Sequence, residues 1–190
     1  MKTQREIIEE QIYNRAYQYH NDNRSLSYIV EHEPDMKEWS IELVNVAYAD
    51  QASYAVVPYE DYMIMAHDLW DDKNHCRIAE YGIYRQHDRD GHPLMNSLNY
   101  NATYEFIKVS NRTYPNMAVA ISAAVEELSD VDDMLSTLVG DMTDGDPEAE
   151  LSDADIRRLV DEAKAGEYEY AEYLTPELFR TIYERLKGDD

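Results

Sequence analysis

Between Thr113 and Ile156 the chain places twelve carboxylates and not one lysine or arginine. That window restricts the fold more than any other feature. Lysine and arginine would be the obvious neutralisers, and a chain selected only for stability would usually intersperse them. Residues 116–139 read as helical, with Ile121, Ala124, Val125, Leu128, Leu135 and Val139 recurring along one side. Glu126, Asp130 and Asp133 then fall three or four residues apart on another face, where like charges repel. Asp132 falls on the apolar side of an unbroken helix. Ser129, three residues before it, therefore reads as a capping-box variant that restarts the helix.

The same Ser-x-x-Asp spacing returns at Ser152 and Asp155, opening a helix that Gly166 closes. Between them, GDMTDGDPEAELSDAD (140–155) holds seven acids, with two glycines and a proline in its first half, and 140–150 reads as an exposed loop. A last helix starts at Thr175-Pro176-Glu177, with threonine as cap and proline in the first turn, and runs to Gly188.

The N-terminal part has a different rhythm. Ile8, Ile12, Ala16 and Tyr19 predict an amphipathic helix over 3–20, capped by Thr3. LSYIVEH (26–32) and WSIELVNVAY (39–48) read as strands, the second from the alternation of Trp39, Ile41 and Leu43 with Ser40, Glu42 and Val44. SYAVV (53–57) is a third strand, Pro58 opens a helix over 59–70, and strands are predicted over 77–86 and 99–109. The fold class is α+β: a small mixed or antiparallel sheet with flanking helices, followed by a mostly helical, acidic C-terminal part. The expected division is an α+β body, 1–115, and an acidic helical region, 116–190.

Over the whole chain, 40 acids face 17 bases, a formal charge of −23. This disfavours nucleic acid as a direct ligand and anionic membrane surfaces as a platform, and favours a basic protein partner. No run reaches the ~18 apolar residues of a membrane span, and MKTQREIIEEQ has no apolar signal core. The single cysteine, Cys76, excludes an internal disulfide. It fits a cytoplasmic protein and reads as a small buried side chain rather than a nucleophile. Seventeen tyrosines against two phenylalanines and two tryptophans suit either an interface or a polar-tipped core, and a tyrosine-rich surface is compatible with a homodimer.

Catalytic and metal patterns are poor. A calcium loop starting at Asp144 would use Asp146, Glu148 and Asp155, but places Ala149 where the loop needs glycine and Asp155 where it needs glutamate. His67, His75, Cys76, His87 and His92 lie close in sequence without zinc-finger spacing. There is no GxSxG, phosphate loop or HExxH. The expectation is a non-enzyme without cofactor or metal.

Carboxylates at helical spacing sit roughly 6 Å apart along the axis and offer a basic groove a row of charge resembling phosphates. The chain is thus expected to mimic nucleic acid and occupy the basic groove of a defence nuclease of CRISPR or restriction type. The contact residues expected are Glu126, Glu127, Asp130, Asp133, Asp141, Asp144, Asp146, Glu148, Glu150 and Asp153, with Tyr168, Glu169, Tyr170, Glu172 and Tyr173 from EYEYAEYLTPE. The alternative is an acidic adaptor or assembly protein that binds a basic protein surface unrelated to nucleic acid.

Overall fold

The computed structural model describes residues 2–33, 35–98, 102–143, 150–166 and 168–188. Three helices come first: α1 (Gln4–Asn21), α2 (Leu26–His32) and α3 (Met36–Ala49). Four strands follow, β1 (Tyr54–Tyr59), β2 (Tyr62–Asp71), β3 (Cys76–His87) and β4 (Thr103–Val109). The chain ends in α4 (Met117–Met142), α5 (Asp153–Ala165), a short 3-10 turn (Ala171–Tyr173) and α6 (Pro176–Gly188). The strands form one antiparallel sheet in the order β1-β2-β3-β4, each paired with its sequence neighbour. This is an α+β fold. It divides into two compact units, Met1–Val125 and Glu126–Asp190, with the division inside α4.

Capping chemistry sets the helix starts. The Thr3 side chain accepts from the Glu6 N–H while the Glu6 carboxylate accepts from the Thr3 N–H, and Ser152 and Asp155 repeat this box at α5. Thr175 accepts from the Leu178 N–H at the start of α6.

Two strands expected in the N-terminal part are helices. The Ser25 side chain accepts from the Tyr28 N–H and starts α2, which buries Leu26 and Ile29, three residues apart. In α3 the buried residues are Trp39, Ser40, Glu42, Leu43, Val44, Val46 and Ala47, which is helical spacing, and Ile41 is exposed. A strand would have buried Ile41 together with Trp39 and Leu43. Conversely, the helix expected over 59–70 is the β1–β2 turn and the strand β2. Tyr62 to His67 are all buried, because β2 is a central strand with both faces covered. Such a continuous apolar run does not distinguish a buried strand from a buried helix by period.

Pro58 lies in the edge strand β1 instead of opening a helix. The Asp68 N–H donates to the Ser53 carbonyl and sets the phase of that ladder. Pro58 then falls where a backbone N–H would point away from β2, so its missing donor breaks no ladder bond. β4 begins at Thr103, and residues 99–101 of its expected range lie outside the described residues.

One face of the sheet packs on the first three helices through Leu26, Ile29, Trp39, Leu43, Val44, Tyr54, Met63, Met65, Tyr84 and Tyr104. The side chain of Asn23, at φ 55°, donates to the Trp70 carbonyl (2.8 Å) and accepts from the Trp70 N–H (2.9 Å). It thereby ties the α1–α2 corner to the end of β2. Eight of the seventeen tyrosines serve the interior: Tyr54, Tyr62, Tyr81, Tyr84, Tyr104, Tyr114, Tyr173 and Tyr183 are buried. Cys76 is exposed rather than buried, since it opens β3 opposite Asp71 at the end of the β2–β3 hairpin. Among the described residues no helix is long and apolar enough to cross a membrane.

Candidate functional site

Helix α4 runs unbroken through Ser129, so the expected restart does not occur. The Ser129 hydroxyl donates back to the Glu126 carbonyl. At about 100° per residue, the buried Leu128, Val131, Leu135, Leu138 and Val139 share one stripe. Glu126, Asp130, Asp133 and Asp141 occupy the opposite side within about 80° of arc. All four are exposed.

The acids at the borders of the stripe are treated differently from those on the outer face. Glu127, at one border, accepts the Tyr173 hydroxyl at 2.6 Å. Asp132, at the other, is held by Arg185, Nη1 to Oδ2 at 2.9 Å, and Arg185 also donates to the Ser136 hydroxyl at 2.6 Å. That ion pair is why Asp132 sits beside the apolar stripe without ending the helix. Among the described residues, none of Glu126, Asp130, Asp133 and Asp141 has a lysine, arginine or histidine within ion-pair distance. The row extends about 22 Å along the helix axis. Asp141 lies in the last turn, where the helix dipole disfavours an anion and no base is present.

Several of the other expected contact residues are already engaged or buried. Asp153 pairs with Arg180. Asp155 closes the α5 capping box and faces Arg158 at 3.8 Å. Its carboxyl is held below the usual range, first by the Ser152 hydroxyl and then by the Ser152 N–H. Glu150 and Glu169 are exposed, and Glu172 is half-buried. Tyr168 is 52% exposed, the one exposed ring of the three tyrosines expected to anchor a partner. Tyr170 is half-buried in the left-handed region at φ 66°. Tyr173 is fully buried, so its ring belongs to the core and only its hydroxyl acts, on Glu127. Asp144, Asp146 and Glu148 lie outside the described residues, as does the first half of the sequence considered as a calcium loop.

The charge is also uneven between the units. Glu126–Asp190 carries 21 acids and six bases, a net −15, whereas Met1–Val125 carries 19 acids and 11 bases, a net −8. The smaller unit therefore holds about two-thirds of the net charge.

A second polar cluster, in the first unit, was not legible as a site. His67 on β2 lies directly across from Glu80 on β3 and from Tyr54 on β1. The Tyr54 ring stacks on the His67 ring with centroids 4.3 Å apart. His67 Nδ1 is 3.3 Å from Glu80 Oε1, and both residues are buried. Glu80 also accepts the Leu26 N–H at the start of α2. His20, in the last turn of α1, places Nε2 2.8 Å from Asp50 Oδ2, and its ring centroid is 6.2 Å from that of His67. Burial tends to raise the Asp50 carboxyl, but donors from Ala52, His20 and Ser53 outweigh it and hold it low. Burial pushes the Tyr54 and Tyr84 hydroxyls up, to where both stay protonated. Gly82 lets the Tyr84 ring lie along the strand: a Cβ there would meet Tyr84 Cε2 at 3.1 Å and Leu26 Cδ1 at 3.3 Å.

Among the described residues, the one group of three metal-type ligand atoms within 4.8 Å is Asp88, Asp90 and His92. It forms a surface turn in which Asp88 accepts the N–H groups of Asp90 and His92. No protein-family model, curated protein or solved structure matches the chain.

Proposed function

We propose that this protein is a non-catalytic inhibitor that presents the outer face of α4 to the basic nucleic-acid groove of a defence nuclease. The observation that carries the reading is the row Glu126, Asp130, Asp133 and Asp141, exposed and without bases, in a unit of net −15. Like charges at these spacings cost helix stability. The chain engages the border acids, Glu127 through the Tyr173 hydroxyl and Asp132 through the Arg185 guanidinium, and leaves the outer ones available. A basic groove would supply the missing counter-charges and regain the steering and counterion-release terms that normally attract nucleic acid. The row is sparser than a phosphate strand, at one charge per ~3.4 Å, so recognition rests on helix shape and total charge rather than on a one-to-one match. Tyr168, exposed in the same unit, supplies an aromatic surface for arginine contact.

The experiment is a cleavage assay over a panel of restriction and CRISPR nucleases, with the protein added before or after the substrate, at two salt concentrations. The reading expects inhibition when the protein is added first, weakened by salt and by Asp130→Lys with Asp133→Lys. Binding to a basic protein that is not displaced by DNA or guide RNA would support the adaptor reading instead. Inhibition insensitive to salt and to the double reversal would refute the mimic.

A further inference from the structure

We propose that the first unit binds one structural water molecule between His20, His67 and Tyr84, joining two separate histidine–carboxylate pairs into one buried network. The argument is a count of donors and acceptors. His20 Nδ1, His67 Nε2 and the Tyr84 hydroxyl are buried side-chain atoms without a hydrogen-bond partner among the described residues. Buried polar groups in folded proteins are nearly always satisfied, and leaving one unsatisfied is costly. Three in one cluster require a common explanation.

The three groups belong to one face of the sheet and the helix packed over it. His67, Tyr54 and Glu80 form one row across three strands, and His20 lies over that row with its ring near both Tyr54 (5.3 Å) and His67 (6.2 Å). Tyr84 is on the same strand and face as Glu80, and its ring is laid back over Gly82 toward Glu80. The hydroxyl is 3.6 Å from the point a Gly82 Cβ would occupy.

Chemistry then selects the guest. Asp50 accepts from Ala52, Ser53 and His20, so His20 carries its proton on Nε2 and leaves Nδ1 as an acceptor. Glu80 accepts from Leu26 and His67, so His67 carries its proton on Nδ1 and leaves Nε2 as an acceptor. The Tyr84 hydroxyl is a donor. Two acceptors and one donor are the complement of a water molecule, which donates twice and accepts once. Three polar partners are also what a buried water typically has. A metal ion fits worse, because both carboxylates are already engaged and, among the described residues, no group of three metal-type ligand atoms includes either imidazole.

Two measurements test this. Long-range proton–nitrogen spectra of the wild-type protein should show His20 protonated on Nε2 and His67 on Nδ1. Cross-relaxation to the Tyr84 hydroxyl proton should reveal a water exchanging slowly with bulk. The opposite tautomer at His67, or no long-lived water at Tyr84, overturns the proposal. The second measurement is the sign of the Tyr84→Phe effect. If the hydroxyl is bridged, its loss orphans the water and lowers Tm by roughly 2–4 °C. If it is an orphan, phenylalanine removes a desolvated donor and Tm stays or rises, which overturns the proposal. A Tm raised by added zinc and not in His67→Gln would also overturn it, in favour of an ion. Should Tyr84→Phe not fold, the wild-type spectra decide alone.

Discussion

Replacing Asp130 by lysine should make the protein more stable, and by an amount the structure sets. Asp130 has acidic neighbours at i−4 (Glu126), i−3 (Glu127) and i+3 (Asp133) on α4. A like-charge pair at these spacings costs a few tenths of a kcal/mol, and an opposite pair returns as much, so each neighbour contributes a swing of about 0.4–1 kcal/mol. Glu127 keeps its charge, but its carboxylate is held by the Tyr173 hydroxyl and is less free to meet a lysine, so two neighbours count fully. Lysine is also the better helix former. The sum is about 1–2 kcal/mol at low ionic strength, or a Tm higher by about 2–8 °C. The assay is thermal and urea unfolding of both proteins at low and at high salt. Screening should remove most of the gain at high salt. A variant no more stable than wild type at low salt would refute the claim that the row is uncompensated. A gain independent of salt would refute its electrostatic origin. Under the proposed function this stabilising change also weakens inhibition, so stability and activity move in opposite directions.

Tyr173→Phe keeps the buried ring and removes a hydroxyl donor to Glu127, at a cost of about 1 kcal/mol, readable as a lower urea midpoint at unchanged slope. Gly82→Ala places a methyl group against Tyr84 and Leu26, and overpacking of this kind costs about 1–3 kcal/mol, checked by the same unfolding curves. Asp155 titrates below its ordinary range because Ser152 donates to it. Its contribution is complete above the unfolded value of about 3.9 and is lost as pH falls through the lowered folded value. Asp155→Asn should therefore flatten the acid side of the stability profile, and identical profiles for both proteins between about pH 2 and 5 would exclude this coupling.

What could be read in advance divides along physical lines. Helices with explicit caps and long apolar stripes were legible: Thr3, Ser152 and Thr175 mark their starts, and α4 announces itself over 26 residues. In residues 26–48 two helices with many β-branched and aromatic residues imitate strands, and burial separates the periods, with Ile41 exposed and Ser40 and Val44 covered. β2 was misread because a strand buried on both faces loses its alternation. The acid row was legible because helical spacing depends on sequence alone. The engagement of Glu127 and Asp132 was not, since Tyr173 and Arg185 reach them from 46 and 53 residues away. Nor was the histidine cluster, whose members His20, Asp50, His67 and Glu80 come together through strand register and helix placement.

The sheet order β1-β2-β3-β4 has a consequence for how the chain reaches its native state. Every strand pairs with the one made just before it, so no pairing waits for a distant segment. The long β2–β3 hairpin, ten residue pairs closed by a four-residue turn, can form first and accept β1 and β4 on its two sides. Hairpins of this kind close in about 1–10 μs, and low sequence separation of contacts favours rapid folding. On a ribosome the sheet can be finished soon after β4 emerges, before the acidic helices have fully emerged. The apolar run of β2 is then covered early, and the charge that arrives afterwards keeps neighbouring chains apart.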